Sequence, residues 1–387
     1  MALDDSLAGV KVSLFLNHAC NLRCRYCYNG AKVHRPMPPD LARRAVDFGF
    51  EQAGTGFLLL SFFGGEPLLE VERIEEVLAY ARAEAARRKR SLFFSLSTNG
   101  TLLDDRRLRL IKANGIRVQL SLDGGAHAQD ANRRFVNNRS SFQRVSVSLK
   151  RLIADGIQPR VVAVLDPRNS RYLVESYETL RSLGARNVYF SPNLGAAWTE
   201  AAQRTLERSL AALADRWAAG FREGGDAAGA CLDPFNGKVL SQLVRGTKAP
   251  IRCAYGHREL AIAPSGRIYP CDRMVKQDDD DSVCLGDLKT GLDAAKQRAL
   301  LQRREAVEPE CVECDLRERC QNRCGCANHE LTGDPGRVSP VLCWYERTVI
   351  RETDRVANAL FAQEVPGFLR HFYAPTGSLP VAAGRRD

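Results

Sequence analysis

The sequence has no long hydrophobic run. Nothing in it approaches the roughly 18 consecutive apolar residues of a membrane span. Its first residues, MALDDSLAG, are acidic and lack the basic stretch and apolar core of a secretory signal. These absences exclude a spanning helix and a signal peptide, so we expect a cytoplasmic protein that is not associated with a membrane. With 44% hydrophobic and 26% charged residues, the composition is that of a globular protein.

The sequence also lacks clustered basic residues, although its net charge is +10. Lysine and arginine are dispersed, as in ARAEAARRKR at 81–90, which is typical of the solvated face of a helix. We therefore expect no nucleic-acid partner. Because a basic surface steers acidic partners, the charge favours an acidic peptide substrate or an acidic electron donor.

Internal repeats are absent, and short apolar runs alternate instead with helical segments. Six such alternating units predict a parallel sheet, flat or curved into a partial barrel. In such folds ligands bind at the carboxyl ends of the strands, where the notable residues of this chain also cluster. The predicted strands are Val10–Leu16, Leu58–Phe63, Leu92–Leu96, Val118–Leu122, Val161–Leu165 and Val188–Phe190.

The chain contains thirteen cysteines. An odd number argues against a set of paired disulfides in a reducing compartment, so metal or cluster ligation is the leading interpretation. Cys20, Cys24 and Cys27 are spaced C-x3-C-x2-C directly after the first strand. Three thiolates are one short of the four ligands of a [4Fe-4S] cluster, which leaves one iron open to a substrate or cofactor. The alternative is a zinc site completed by His18 or His34.

Polar loops follow the next three predicted strands. They read GGEP at 64–67, STNG at 97–100 and SLDG at 121–124. The glycines let backbone approach a ligand closely, a glutamate carboxylate suits an ammonium group, and the other loops offer groups that could hold a ribose. The candidate ligand-binding residues in these loops are Gly64, Gly65, Glu66, Ser97, Asn99, Ser121 and Asp123.

In this order and on this strand pattern, the four motifs CNLRCRYCY, GGEP, STNG and SLDG resemble those of the radical S-adenosylmethionine (radical SAM) enzymes. The resemblance covers about residues 10–200. It implies that Cys20, Cys24 and Cys27 bind a [4Fe-4S] cluster whose fourth iron chelates S-adenosylmethionine (AdoMet). It also implies reductive cleavage of AdoMet to a 5'-deoxyadenosyl radical that abstracts a substrate hydrogen, with electrons from a flavodoxin- or ferredoxin-type donor.

The resemblance also implies roles for single residues. Tyr26 would lie against the adenine, Gly65 and Glu66 would meet the methionine amino group, Ser121 would reach the ribose, Arg133 would pair with the methionine carboxylate, and Leu194 would contact adenine through its backbone. Arg133 could instead be a surface residue, because Arg134 is adjacent and either of the two could point inward. Leu194 could equally be a packing residue.

Ten of the thirteen cysteines lie between Cys231 and Cys343, beyond a Gly-rich segment at about 222–230. Their array, C-x12-G-x4-C, then C-x2-C-x5-C-x3-C, then a last C, resembles the SPASM domain of peptide-modifying radical SAM enzymes over about 250–345. A zinc ribbon is the alternative. The SPASM resemblance implies two auxiliary [4Fe-4S] clusters, a distal one on Cys311, Cys314, Cys320 and Cys343 and an inner one on Cys253, Cys271 and Cys324.

The inner set is one ligand short. Relatives of the anaerobic sulfatase maturases carry an eighth cysteine six residues before the first, where this chain has Thr247. The inner cluster would then have an open iron that could ligate a peptide thiolate, or it would recruit another cysteine. Cys231 is the favoured replacement, with Cys284 and Cys326 as alternatives. Each of the three could instead be a small buried hydrophobic residue that binds no metal.

Asp272 directly follows Cys271. The resemblance to sulfatase maturases implies that it is the base that deprotonates the substrate side chain. It could also only cap a turn.

The expected fold is α/β, a partial (β/α)6 TIM-like barrel followed by a cysteine-rich SPASM domain and a C-terminal helix. We predict the barrel over 1–222, a linker over 223–248, the SPASM domain over 249–345 and the helix with its tail over 346–387. Because the first strand begins within about ten residues of Met1, we expect no N-terminal leader-binding domain. Leader recognition would then come from the SPASM face, the C-terminal helix or a separate leader-binding protein.

The expected function is modification of a ribosomally made precursor peptide or protein, with cross-linking through a thioether, carbon–carbon or carbon–oxygen bond as the favoured outcome. Formylglycine formation on a sulfatase is the first alternative, and epimerisation and backbone excision are others. A cysteine-rich metal-binding or electron-transfer protein without catalysis is the non-enzyme alternative.

Overall fold

A parallel sheet forms the centre of the molecule. The computed structural model describes residues 9–224, 231–244, 253–306, 308–322 and 324–373. Six strands lie in chain order, each parallel to the next, which confirms the predicted α/β architecture. They are β1 (Val10–Phe15), β2 (Leu58–Phe63), β3 (Leu92–Thr98), β4 (Arg117–Ser121), β5 (Arg160–Leu165) and β6 (Asn187–Pro192).

Helices connect these strands and cover the sheet. Strands buried on both faces need apolar residues at nearly every position, and β2, with the sequence LLLSFF, is of this kind. Val12, Leu14, Leu58 and Leu60 are fully buried in the core beneath the helices. The helices of this part are α1 (Pro39–Ala53), α2 (Val71–Arg88), α3 (Asp105–Ala113), α4 (Ala126–Asn132), α5 (Phe142–Ala154), α6 (Leu173–Ser182) and α7 (Glu200–Glu223).

Later segments extend the sheet at both edges. At one edge, β7 (Cys231–Asp233) pairs in parallel with β6. At the other, β8 (Glu259–Ile262) pairs in parallel with β1, and β9 (Arg267–Tyr269) is antiparallel to β8. Two short strands, β10 (Gly286–Asp287) and β11 (Gly291–Leu292), complete that edge. The cysteine-rich region is therefore joined to the first strand of the parallel sheet by backbone hydrogen bonds.

The remaining helices pack beside these added strands. They are α8 (Phe235–Leu243), α9 (Ala294–Glu305), α10 (Pro309–Val312), α11 (Gly325–Thr332), α12 (Pro340–Ala362) and α13 (Pro366–Tyr373). The predicted C-terminal helix begins earlier than expected, because Ser339 caps it by accepting a hydrogen bond from the Leu342 amide at 3.1 Å. Cys343 therefore lies on α12. In the part of the chain that the structure describes, we find no helix both long and apolar enough to cross a membrane.

The segment predicted as a linker, 223–248, holds regular structure in its described part. It contains β7 and α8, and Lys238 of α8 donates a 2.5 Å hydrogen bond to Glu346 of α12. Both side chains are buried, at 6% and 4% exposure. This ion pair ties the end of the parallel sheet to the helix that bears Cys343.

Candidate active site and auxiliary cysteine sites

A cavity of about 270 Å³ lies at the carboxyl ends of the parallel strands. Loops from successive strands contribute to its wall, so polar groups far apart in the sequence face one space. The lining includes Cys20, Cys24, Tyr26, Cys27, Gly64, Gly65, Ser97, Asn99, Ser121 and Arg133. Neither His18 nor His34 is among the described residues that line it.

Two glycines hold the cysteine-bearing loop close to the end of β2. A Cβ on Gly64, whose φ is +140°, would lie 2.5 Å from the Asn17 carbonyl oxygen, and a Cβ on Gly65 would lie 2.1 Å from that of Ala19. The Gly65 amide donates to the Asn17 carbonyl at 2.8 Å. Any side chain here would push away the backbone that leads into Cys20.

Burial keeps the Cys20 and Cys24 thiols protonated in the absence of a cation. It raises the pKa of Cys20 to about 12 and also raises the pKa of Cys24. Lys32 Nζ donates to the Cys27 Sγ at 2.9 Å. Loading with a metal centre must therefore displace protons, which makes it favoured by higher pH.

The Glu66 carboxylate joins two of the strand-end loops. It is fully buried and accepts hydrogen bonds from Thr98 Oγ1 and the Asn99 amide, both at 2.7 Å, and from the Leu68 amide at 3.1 Å. Burial raises its pKa. The structure places this carboxylate between the loops after β2 and β3, whereas Gly64 and Gly65 line the cavity.

Tyr26, Asp123 and Arg133 form a buried polar chain. The Tyr26 hydroxyl donates to Asp123 Oδ2 at 2.7 Å and accepts from Arg133 Nη1 at 2.9 Å. Asp123 also accepts from the Val164 amide at 2.9 Å, and burial raises its pKa to about 6. Tyr26 and Arg133 line the cavity, while Asp123 lies behind them and fixes the tyrosine.

The structure distinguishes the two neighbouring arginines. Arg134 donates to the carbonyls of Asp130 and Asn138, at 2.8 and 3.0 Å. Arg133 is 7% exposed, and its Nε has no hydrogen-bond partner among the described residues. A buried guanidinium donor without a partner on a cavity wall suits an anionic group of a ligand.

Leu194 is not on the described cavity wall. Its side chain packs in a separate apolar cluster with Ala327 and Leu342. At the end of β6 the wall is formed instead by Ser191, Pro192 and Asn193.

Sequence reasoning missed several polar groups of this site. Asn29 Nδ2 donates to the Gly64 carbonyl at 2.7 Å and so joins the cysteine loop to the glycine loop. Lys32 donates a hydrogen bond to Cys27, and both residues line the cavity. The signal was local, since the two follow the last cysteine of the motif in CYNGAK. Gln119 and Arg273 also line the wall, but only tertiary structure brings them there.

A second group of thiols lies beside β8 and β9. Cys253, Cys271 and Cys324 come together there with Cys326, and the Sγ atoms of Cys324 and Cys326 are 3.6 Å apart. Cys253 interacts with Cys324, and Cys271 interacts with Cys326. We call these four residues the inner thiol set.

The other two candidates for the fourth inner ligand lie elsewhere. Cys231 is on β7 opposite Asn187, and burial, followed by the neighbouring Asp233 carboxylate, raises its pKa to about 12. Cys284 Sγ donates to the Gly286 carbonyl at 3.2 Å. Thr247, which stands at the position of the missing eighth cysteine, lies outside the described residues.

A third group of thiols lines a cavity of about 480 Å³ between the loop after α10 and the start of α12. Its cysteines are Cys311, Cys314, Cys320 and Cys343, which we call the distal thiol set. Arg347 borders them, with Nε donating to Cys343 Sγ at 3.4 Å and Nη2 to Cys314 Sγ at 3.9 Å.

Asp272 faces β1 and is not among the described residues of the cavity wall. Its Oδ2 accepts from Lys11 Nζ and Ser13 Oγ, both at 3.3 Å. Burial by itself lowers the pKa of Lys11, but the carboxylates of Asp272 and Glu259 outweigh it and raise that pKa. The next residue, Arg273, lies on the wall, 4.8 Å above the Tyr28 ring, and donates to Glu330.

Residues 14–181 match the model of the Radical SAM superfamily, so the chain carries a radical SAM domain. Over 322 residues the chain is 26% identical to the serine-type anaerobic sulfatase-maturating enzyme of Klebsiella aerogenes, a match that covers 79% of this chain and 77% of that protein. Over 348 residues it is 26% identical to the PqqA peptide cyclase of Gluconobacter oxydans, covering 84% and 88%. The chain is therefore similar to radical SAM enzymes that mature sulfatases or cyclise a peptide.

The fold agrees with a solved structure. The structure described as native anSMEcpe with bound AdoMet superposes with a TM-score of 0.75 at 20% identity, and covers 92% of this chain and 99% of that chain. This similarity establishes the shared fold.

Radical SAM proteins use a [4Fe-4S] cluster and AdoMet, and SPASM relatives carry auxiliary clusters. The first cavity has groups suited to a [4Fe-4S] cluster and to AdoMet, because three thiols and Arg133, whose Nε has no described partner, share its wall. The inner and distal sets each bring four thiols together, which is the ligand number of an iron–sulfur cluster.

Proposed function

We propose that this protein oxidatively modifies a ribosomally made peptide or protein, with an intramolecular cross-link as the product. The presence of three thiol sets, one on the cavity wall and two carried by neighbouring segments of the chain, is the observation that carries the proposal. Arg273 of the cavity wall is two residues from Cys271 of the inner set, and Cys324 of the inner set is four residues from Cys320 of the distal set.

Cys20, Cys24 and Cys27 would hold the AdoMet-binding [4Fe-4S] cluster. With AdoMet bound, this pair supplies one-electron reduction and a carbon radical that abstracts hydrogen. The chain's own residues orient the cofactor. Arg133 Nε is available to the methionine carboxylate, the backbone of Gly64 and Gly65 to the ammonium group, and the hydroxyls of Ser97 and Ser121 to the ribose.

Oxidative cross-linking removes two hydrogens from the peptide. One leaves as a hydrogen atom, and the other as a proton and an electron, so an electron acceptor must lie near the cavity. The inner set, with Cys271 beside the wall residue Arg273, supports such an acceptor. The distal set, bordered by the exposed side chain of Cys343, supports an exit toward solvent or a redox partner.

Formylglycine formation on a sulfatase is the second candidate, favoured by the similarity to the Klebsiella aerogenes enzyme. The sequence assigns Asp272 as the base for that reaction. Lys11 donates a hydrogen bond to this carboxylate, but the carboxylate turns toward β1 while Arg273 lines the cavity. This orientation leads us to favour cross-linking.

Anaerobic reconstitution tests the proposal. We expect about twelve irons per chain, as three four-iron clusters require, and 5'-deoxyadenosine on addition of AdoMet and reductant. A short peptide encoded beside this gene should lose two hydrogens and remain unreactive toward an aldehyde-specific hydrazide. A hydrazide-reactive product would shift the assignment to formylglycine formation, and bound zinc without AdoMet cleavage would overturn the enzyme assignment.

A further inference from the structure

The inner thiol set contains four cysteines, although the spacing that resembles a SPASM domain supplies only three of them. Cys253 lies in the loop before β8 and Cys271 directly after β9, while Cys324 directly precedes α11. Cys326 lies in the first turn of α11, so its thiol is presented beside that of Cys324 at 3.6 Å. Cys326 and Cys271 are each only 6% exposed.

The turn between Cys324 and Cys326 is shaped for close packing. A Cβ on Gly325 would lie 2.4 Å from Tyr255 Cδ1, so only glycine allows the tyrosine ring to lie against this turn. Tyr255 is fully buried. Its ring thus fixes the backbone that presents both thiols.

The Tyr255 hydroxyl is a second feature of this site, separate from the four thiols. It is buried and has no hydrogen-bond partner among the described residues. The Tyr255 ring packs against Gly325, which lies between Cys324 and Cys326. A buried hydroxyl without a partner indicates an acceptor that only a bound group would bring, and cluster or thiolate sulfur is such an acceptor.

We propose that Cys326 is the fourth thiolate ligand of the inner iron–sulfur cluster, with Cys253, Cys271 and Cys324, and that the Tyr255 hydroxyl donates to this cluster. The inference rests on the auxiliary-cluster part of the proposed function. It replaces Cys231, which the sequence favours but the structure places on β7 opposite Asn187. It also replaces Cys284 as the candidate fourth ligand, because the Cys284 thiol donates a hydrogen bond to the Gly286 carbonyl.

A cluster with four cysteine ligands has no vacant iron. A peptide thiolate would therefore not bind to the inner cluster, and this centre would act as an electron relay. Only the N-terminal cluster would keep an open coordination position, for AdoMet.

Three single variants test the ligand assignment under one reconstitution protocol: Cys326→Ala, with Cys231→Ala and Cys284→Ala as matched controls. We expect Cys326→Ala alone to lose the iron of one cluster or to change the electron paramagnetic resonance (EPR) spectrum of the reduced inner cluster. With excess AdoMet occupying the open iron of the N-terminal cluster, we also expect added 2-mercaptoethanol to leave the wild-type spectrum unchanged. Wild-type iron content and an unchanged spectrum in Cys326→Ala would overturn the proposal, as would a wild-type spectrum that shifts with the thiol.

Cys326→Ser covers the case in which the alanine variant does not fold. A serine oxygen in the ligand position should shift the EPR spectrum, whereas a serine at a position of purely structural importance would leave it unchanged. Failure of the proposed function is distinguishable, because it would appear as wild-type protein without auxiliary iron. Failure of this inference alone would appear as a full iron content that Cys326→Ala retains.

Discussion

The N-terminal and inner cysteine sites use the same ligand chemistry but are assembled differently. Cys20, Cys24 and Cys27 lie within eight positions of one loop after β1. The inner thiols come from positions 253 to 326, carried by two loops of the added strands and the start of α11. The first site depends on local spacing and the second on packing.

The two sites also differ in what they leave unsatisfied. Beside the three N-terminal thiols, Arg133 keeps a buried guanidinium nitrogen without a described partner, which suits an exchangeable anionic ligand. Beside the four inner thiols, the Tyr255 hydroxyl is buried without a hydrogen-bond partner among the described residues. This contrast agrees with our proposals of an open coordination site for AdoMet at the first set and a closed electron-transfer centre at the second.

Removal of one thiol from the N-terminal loop should have the largest effect. We expect Cys24→Ala to reduce 5'-deoxyadenosine formation to background and to lower the iron content by about four per chain, because two cysteines cannot hold the cluster. Cys231→Ala should retain both properties. Sustained AdoMet cleavage in Cys24→Ala would refute the assignment of this loop.

Loss of the buried ion pair beside the distal set should lower the stability of the protein. Lys238→Met leaves the Glu346 carboxylate buried without its ion-pair partner, which should lower the free energy of unfolding by about 3–5 kcal/mol. Urea denaturation measures this loss. The double variant Lys238→Met/Glu346→Leu should regain most of it, and a single-variant loss below about 1 kcal/mol would show that the pair contributes little to stability.

Substitution of Arg133 should weaken the binding of AdoMet without affecting the binding of the cluster. We expect Arg133→Gln to weaken AdoMet binding by about 1.5–3 kcal/mol, roughly 10- to 150-fold, because a charge-assisted hydrogen bond is lost. Iron content should stay unchanged. Arg134→Gln is the matched control, since Arg134 bonds only backbone carbonyls in the described contacts, and equal weakening in both variants would contradict the assignment.

The smallest effect is expected at the exposed distal set. Arg347 donates to Cys343 and Cys314, so its positive charge favours the reduced cluster. We expect Arg347→Gln to lower the midpoint potential of the distal cluster by an amount equivalent to about 0.2–1 kcal/mol, as for exposed charge pairs. EPR-monitored redox titration measures it. Arg351→Gln, whose described partner is Glu352, should leave the potential unchanged.

The strands could be predicted closely from the sequence. Each of the six predicted apolar runs overlaps an observed strand, because strands buried between helices must be apolar along most of their length. The start of α12 was missed by six residues, since its cap, Ser339, lies within the segment predicted as the SPASM domain. The segment 223–248 was expected to be a linker because glycine dominates its first part, whereas β7 and α8 follow that part.

Side-chain orientation in the site was harder to predict. The sequence offers Glu66 as a partner of the ammonium group, and the structure adds that its carboxylate accepts hydrogen bonds from Thr98 and Asn99. It could not separate Arg133 from Arg134, because adjacent residues differ in direction only once the backbone path is known. Leu194 has its position set by packing against Ala327 and Leu342, two residues from distant helices.

The sequence by itself determined the parallel α/β class, the three-thiol loop and the radical SAM motifs, because each depends on residues close together in the chain. Tertiary structure decided which distant thiols meet. The sequence favours Cys231 over Cys326, but β7 pairs with β6 at the far edge of the sheet, whereas α11 presents Cys326 beside Cys324 and Cys271. Which ligands from separate elements meet depends on distances set by packing, and the separation of residues along the sequence does not determine those distances.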